Sequence, residues 1–242
     1  MYQTTNIYLT PDLKMSVVLL NNPYLLHLIE HFGINIPVYD KSVEVICQEN
    51  NLSTALFLTF ANLYNGVQYT PKTPLTYKDT QPIINYLKNN HKFYTEEIYP
   101  TILGTIKQMS DSNDHKEMAL VPKFFVDYFS EVADHLNYEN KVVFPYILDL
   151  YSRITNVANT RQQPEYSVKE YKEHHNDIEE KLNDFKSLLI KYLPYKEDRV
   201  LRRKLILSLF ELEYDLNIHS QIEDLILIPL VAKMESHLHK SK

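Results

Sequence analysis

Two stretches of the chain repeat one pattern of residues that could bind a metal. The pattern is a histidine, a glutamate four residues later and a proline ten residues later. It occurs once as His135, Glu139 and Pro145, and once as His219, Glu223 and Pro229. Four residues span about one turn of an α-helix, so each histidine and its glutamate point the same way, about 6 Å apart along the axis. The histidine and the glutamate can bind the same metal ion, or each can bind one of two neighbouring ions.

The other two long helical stretches each contain at least one further histidine. His91 lies in NNHKFYTEEI, and both His174 and His175 lie in KEHHNDIEEKL. Neighbouring residues on a helix differ by about 100°, so only one of the last two can face a core squarely. Four imidazoles and two bridging carboxylates suit two divalent ions. Iron is the natural first choice, with manganese and zinc as competitors.

Four long helices must position these residues. We expect them at roughly 82–109, 118–152, 165–192 and 197–236, joined by polar or proline-containing connections. Long helices with short links are typical of an antiparallel bundle, and bundle cores are a recurrent location for metal sites. Pro145 and Pro229 should kink or tighten their helices, because each lacks an amide donor and crowds the preceding turn.

The first part of the chain is predicted to form shorter helices. Apolar residues at 25–32 predict a short helix that ends near Gly33. Ser42 and Ser53 each precede an apolar run, as N-cap residues do. The predicted organisation is a small helical domain at 1–67, a linker at 68–81 and a metal-binding four-helix bundle at 82–242.

Composition limits the fold and the partners. Only 3 of the 242 residues are glycine, which excludes most all-β folds and glycine-rich phosphate loops. The net charge of −6 argues against a nucleic-acid surface. A single cysteine cannot form an internal disulfide. The chain contains no run of about 18 apolar residues, so no membrane span is predicted. We therefore expect an all-α protein of the cytoplasm, with no nucleic acid and no membrane among its partners.

The order His-x-x-x-Glu with a following proline resembles the hemerythrin-like cation-binding domain. Ferritin-like bundles use Glu-x-x-His instead, and no histidine here has glutamate three residues before it. Over about residues 23–238 the chain resembles the di-iron family called repair of iron centres, which joins a short helical domain to a hemerythrin-like antiparallel four-helix bundle. The resemblance favours His175 over His174. The metal ligands that it implies are His91, His135, Glu139, His175, His219 and Glu223.

The resemblance also implies a function. Family members are implicated in the repair of iron–sulfur clusters damaged by oxidative or nitrosative stress, through iron delivery or through chemistry of dioxygen, nitric oxide or peroxide at two iron ions. A damaged iron–sulfur protein would then be a partner. The family's first domain often carries a vicinal cysteine pair, whereas residues 35–39 here read NIPVY, so a thiol handover of metal is not expected.

Two other functions compete with this one. The absence of the cysteine pair makes a di-iron gas or redox sensor, signalling to a protein partner, the alternative. Dioxygen storage is the least supported, because oxygen-carrying hemerythrins often have a His-x-x-x-His pair in the third helix. Here Tyr171 and Glu179 stand four residues to either side of His175, so that pair is absent.

Overall fold

The computed structural model describes residues 8–67, 74–111, 118, 120–155, 167–173, 178–192 and 199–240. Within these ranges every regular element is helical, and pairing of the β type is confined to one isolated bridge between Lys14 and Ser42. The predicted all-α class is therefore confirmed. None of the described helices is both long enough and apolar enough to span a membrane.

The helices follow one another along the chain. Those of the first part are α1 (Met15–Asn21), α2 (Leu25–His31), α3 (Val43–Glu49), α4 (Thr54–Tyr64), a 3-10 turn (Tyr77–Asp79) and α5 (Thr80–Lys92). Those of the second part are α6 (Tyr99–Asp111), α7 (Leu120–Tyr138), α8 (Phe144–Ile154), α9 (Val168–Glu173), α10 (Ile178–Tyr192), α11 (Arg199–Ile222) and α12 (Ile228–Lys240). Helices thus occupy each of the four long stretches where the hydrophobic pattern predicts them.

The chain forms two compact units, each assembled from separate stretches. Unit 1 comprises Met1–Asn89, Tyr146–Val168 and Ile218–Lys242, and unit 2 comprises Asn90–Pro145 and Lys169–Asn217. The predicted division into 1–67, 68–81 and 82–242 uses continuous stretches of the chain. The two units instead combine separate stretches, because some long helices contribute residues to both. The predicted domain boundaries stay a prediction.

The short helices of unit 1 begin and end where the sequence predicts. The hydroxyl oxygens of Ser42 and Ser53 each accept a hydrogen bond, 3.3 Å long, from the backbone N–H three residues later. Gly33 follows α2 with a φ of +72°, a conformation that costs glycine little. In α4 every residue from Leu56 to Tyr64 is buried, and α2 and α3 both pack on this helix.

Unit 2 has a large apolar core. Both α6 and α10 pack against α7, and aromatic rings such as Phe125 and Phe185, 5.8 Å apart between centroids, fill the space between the helices. Each fully buried leucine or phenylalanine stabilises the folded state by about 1.5–3 kcal/mol. This packing holds α7, which carries His135 and leads directly into Glu139.

In the part of the chain that the structure describes, three π-helical segments interrupt the long helices. We name them π1 (Phe93–Ile98), π2 (Glu139–Val143) and π3 (Glu223–Leu227). The residue after each segment donates its backbone N–H to the carbonyl oxygen five residues earlier, which is the π-helical pattern. These donors and acceptors are Tyr99 and Tyr94, Phe144 and Glu139, and Ile228 and Glu223.

A proline explains why each π segment forms. Pro100, Pro145 and Pro229 each stand two residues after the end of a π segment. A proline has no N–H for the carbonyl four residues earlier, and its ring crowds that carbonyl. Widening the turn to bonds between residues five apart relieves both problems. Of the two expected effects of Pro145 and Pro229, a kink or a tightening, the tightening is wrong, since the helix widens ahead of each proline.

Candidate metal centre

Glu139 lies between two imidazoles in unit 2. Its Oε2 is 3.3 Å from Nε2 of His91, and its Oε1 is 3.3 Å from Nε2 of His135. The Glu139 side chain is fully buried, and those of His91 and His135 are 3% and 10% exposed. Three of the six predicted ligands are therefore brought together in one unit, and each carboxylate oxygen faces a different imidazole.

The His91 imidazole is held by its neighbours in unit 2. It stacks on the ring of Phe144, with centroids 5.4 Å apart and planes inclined by 23°. Phe144 directly follows π2, so the segment that begins at Glu139 also delivers the ring that orients His91. The backbone carbonyl of His91 accepts a hydrogen bond of 2.8 Å from the hydroxyl of Thr95.

A buried carboxylate fixes the helix on either side of His91. Asp215 is fully buried, and its Oδ2 accepts hydrogen bonds from Nδ2 of Asn90 at 3.1 Å and from the hydroxyl of Tyr94 at 2.7 Å. The sequence singles out neither Asp215 nor Asn90. The available signal is that Asp215 is an acidic residue beside the buried leucines Leu212 and Leu216 of α11.

The second copy of the motif lies in unit 1 and has the same local geometry. Nε2 of His219 is 3.4 Å from Oε1 of Glu223. His219 lies in the last turn of α11 and Glu223 is the first residue of π3, just as His135 lies in the last turn of α7 and Glu139 is the first residue of π2. Both side chains are almost completely buried, at 4% and 0% exposure. The repeated sequence pattern is therefore a repeated structure.

The third predicted helix is described only in part. His175, the predicted ligand there, and its neighbour His174 lie outside the described residues. Tyr171, one turn earlier in the sequence, lies within them. Its hydroxyl is 3.5 Å from Oε1 of Glu139, in unit 2.

The described histidines and glutamates have the chemistry of a metal site. Buried His/Glu groups of this kind could hold a metal ion. Imidazole nitrogens and carboxylate oxygens together suit iron, manganese and zinc. A carboxylate whose two oxygens face different imidazoles, as in Glu139, can also serve two ions at once.

Cys47 offers no comparable chemistry. The residue is fully buried in unit 1, and this burial raises the pKa of its thiol from the ordinary 9.0 to about 12. The thiolate is the nucleophile and the metal ligand, so a buried thiol with this pKa is inert near neutral pH.

No family model, curated protein or solved structure matches the chain. The resemblance to hemerythrin-like proteins therefore stays a prediction from the motifs.

Proposed function

We propose that the chain is a non-haem di-iron protein of the repair-of-iron-centres type, built on a hemerythrin-like four-helix bundle. The observation that carries this proposal is Glu139, buried between two imidazoles with one carboxylate oxygen toward each. The matching buried pair in unit 1 supports it. In this proposal the residues that hold the metal are His91, His135, Glu139, His175, His219 and Glu223.

Two bound iron ions would supply open coordination positions for a small ligand such as dioxygen, nitric oxide or peroxide. The chain's own contribution is to bind and to exclude water. The imidazoles and carboxylates supply nitrogen and oxygen donors, and their burial keeps bulk solvent away from them. Asp215 fixes the helix that carries His91. The cellular role that we propose is the repair of iron–sulfur clusters damaged by oxidative or nitrosative stress, through iron delivery or nitric oxide chemistry.

The first test is the metal content of the purified protein after anaerobic loading with ferrous iron. We expect about two irons per chain, as in other di-iron bundles, and a strongly reduced content in His135→Ala and Glu223→Ala. The matched control is Glu131→Gln, on α7 one turn before His135, because the Glu131 side chain is 57% exposed and pairs with Lys181. A folded wild-type protein without stoichiometric metal would overturn the proposal.

The second test addresses the repair role. A purified iron–sulfur enzyme inactivated by nitric oxide is incubated with the iron-loaded protein, and recovery of its activity is followed. We expect recovery with the wild type and none with Glu223→Ala. Recovery from an equal amount of free iron alone would show that the protein is not the agent of repair.

A di-iron sensor is the second candidate function, and the state of Cys47 favours it. With this thiol buried and its pKa raised to about 12, a thiol handover of metal from the amino-terminal part is not supported. A sensor would bind a protein partner in one oxidation state of the metal only. Affinity capture with the air-oxidised and the reduced protein distinguishes the two functions, since a repair protein needs no stable partner.

A further inference from the structure

Tyr171 reaches the same carboxylate that faces the two imidazoles. The residue lies on α9 and is only 2% exposed. Its hydroxyl is 3.5 Å from Oε1 of Glu139, the oxygen that also lies 3.3 Å from Nε2 of His135. Tyr171, Glu139 and His135 all belong to unit 2.

The length of this contact is informative. Hydrogen bonds between two oxygens are usually about 2.5–3.0 Å long, so 3.5 Å makes a poor one. Metal–ligand bonds to nitrogen and oxygen are about 2.0–2.2 Å, which places neighbouring ligand atoms of one ion about 2.8–3.6 Å apart at angles between 90° and 109°. The contacts of Glu139 with His91, with His135 and with Tyr171 all fall in this range.

The chemistry of the phenol fits the same interpretation. A tyrosine oxygen is an established axial ligand of iron in haem proteins, and an oxygen donor complements the imidazole nitrogens already present. Here the polar end of a nearly fully buried side chain points at a carboxylate oxygen.

We propose that Tyr171 is a further metal ligand, which binds ferric iron beside Glu139. This inference rests on the proposed di-iron function. On coordination the phenolic O–H bond breaks and an Fe–O bond forms, and the proton passes to solvent. No electron is transferred in this step, so it needs no oxidant or reductant.

The test is the electronic and vibrational spectrum of the ferric protein. Phenolate bound to ferric iron gives a charge-transfer absorption in the visible range, and excitation into it enhances tyrosine ring vibrations in the Raman spectrum. We expect both signals in the wild type and their loss in Tyr171→Phe at unchanged iron content. The matched control is Tyr128→Phe, since Tyr128 is buried in the core of the same unit and should leave both signals intact.

Tyr171→His adds a variant that supplies a nitrogen donor in place of the phenol. We expect it to retain iron and to lack the phenolate signals. Circular dichroism establishes that each variant is folded, and if Tyr171→Phe does not fold, Tyr171→His decides the question.

The outcomes separate this inference from the proposed function. Two results would overturn the role of Tyr171 and leave the di-iron function standing. One is a wild-type protein that binds stoichiometric iron but gives no phenolate signals. The other is the persistence of these signals in both Tyr171→Phe and Tyr171→His. A folded wild type that binds no iron would overturn both. Signals that are present in the wild type and in Tyr128→Phe, and lost only on substitution of Tyr171, would establish the ligand.

Discussion

At the scale of single residues, the position of His91 depends on a carboxylate that is not a predicted ligand. Asp215 accepts hydrogen bonds from Asn90 and Tyr94, which stand one residue before and three residues after His91. Both donors reach the same acceptor oxygen, so they share one face of the helical run beside His91. A single acceptor oxygen thereby fixes the rotation of the helix, and with it the direction of the imidazole.

Replacing Asp215 should therefore weaken metal binding without removing a ligand. We expect Asp215→Leu to lower the metal affinity by about 10–100-fold, as loss of hydrogen-bonding partners around metal ligands typically does. Asp215→Asn should bind nearly as well as the wild type, because the amide oxygen can accept from both donors. Competition with a chelator of known affinity measures the effect.

The control for this prediction is Asp127→Leu, which makes the same chemical change at an exposed position of α7. Equal affinities for Asp215→Leu and the wild type would show that the hydrogen bonds do not position His91.

A second prediction at this scale concerns Cys47. Because burial raises the pKa of its thiol to about 12, the native protein should not react with a disulfide reagent at pH 8, and the denatured protein should release one equivalent. The folded state favours the protonated thiol, so its contribution to stability is complete below pH 9 and is lost between pH 9 and 12. Cys47→Ala should show a smaller loss of stability over that range. Rapid labelling of the native protein would contradict the raised pKa.

At the scale of helical elements, the π segments are the main departure from regular α-helical geometry. π2 and π3 begin at the glutamates of the two motifs, and π1 begins at Phe93, two residues after His91. Such segments occur frequently at functional sites, and here each follows from a proline that removes one backbone donor. The proline of the sequence motif therefore shapes the helix next to the ligands, although its side chain cannot bind a metal.

Replacing Pro145 tests this assignment. In Pro145→Ala the restored N–H allows regular α-helical bonds through π2, so we expect a higher melting temperature for the metal-free protein. The gain in the free energy of unfolding should not exceed about 3 kcal/mol, the usual cost of proline inside a helix. Metal affinity should fall, because a change from π to α geometry rotates Glu139 relative to the residues that follow it. Calorimetry and metal titration measure the two effects.

Pro122→Ala is the matched control on the same helical run. Pro122 lies in the first turn of α7, where a backbone N–H has no partner within the helix, so its replacement should change neither π2 nor metal affinity. A Pro145→Ala protein that binds metal as tightly as the wild type would show that the π segment is not needed for binding.

At the scale of the whole molecule, folding brings together predicted ligands that are far apart in the sequence. His91 and Glu139 belong to different helices yet lie 3.3 Å apart in unit 2. An unfolded chain cannot present them together, so metal should bind the folded state almost exclusively. Metal binding and folding are then coupled.

This coupling predicts that metal stabilises the protein. At a free metal concentration one hundred times the dissociation constant, each occupied site adds about 2.7 kcal/mol to the free energy of unfolding. We expect a higher melting temperature with iron, and its reversal by a chelator. Glu139→Ala should lose most of this increment, whereas Glu131→Gln should keep it. A melting temperature independent of metal in the wild type would contradict the coupling.

The local features of this protein follow from neighbouring residues and are predictable from the sequence. Low glycine content and helical periodicity predicted an all-α chain, and Ser42 and Ser53 were identified as N-caps because a cap bonds to a backbone group only three residues away. The pairing of His135 with Glu139 and of His219 with Glu223 was predictable for the same reason, since one helical turn joins them. The π segments were not predicted, although the three prolines that cause them are visible in the sequence.

Contacts between residues far apart in the sequence are visible only in the folded protein. Different helices are joined by the contact of His91 with Glu139, by the hydrogen bonds of Asp215 and by the contact of Tyr171 with Glu139. Such contacts depend on how apolar faces pack and on how each helix is rotated about its axis. Periodicity assigns a residue to a helix face, but the partner across the core is selected by the fit of the packed side chains.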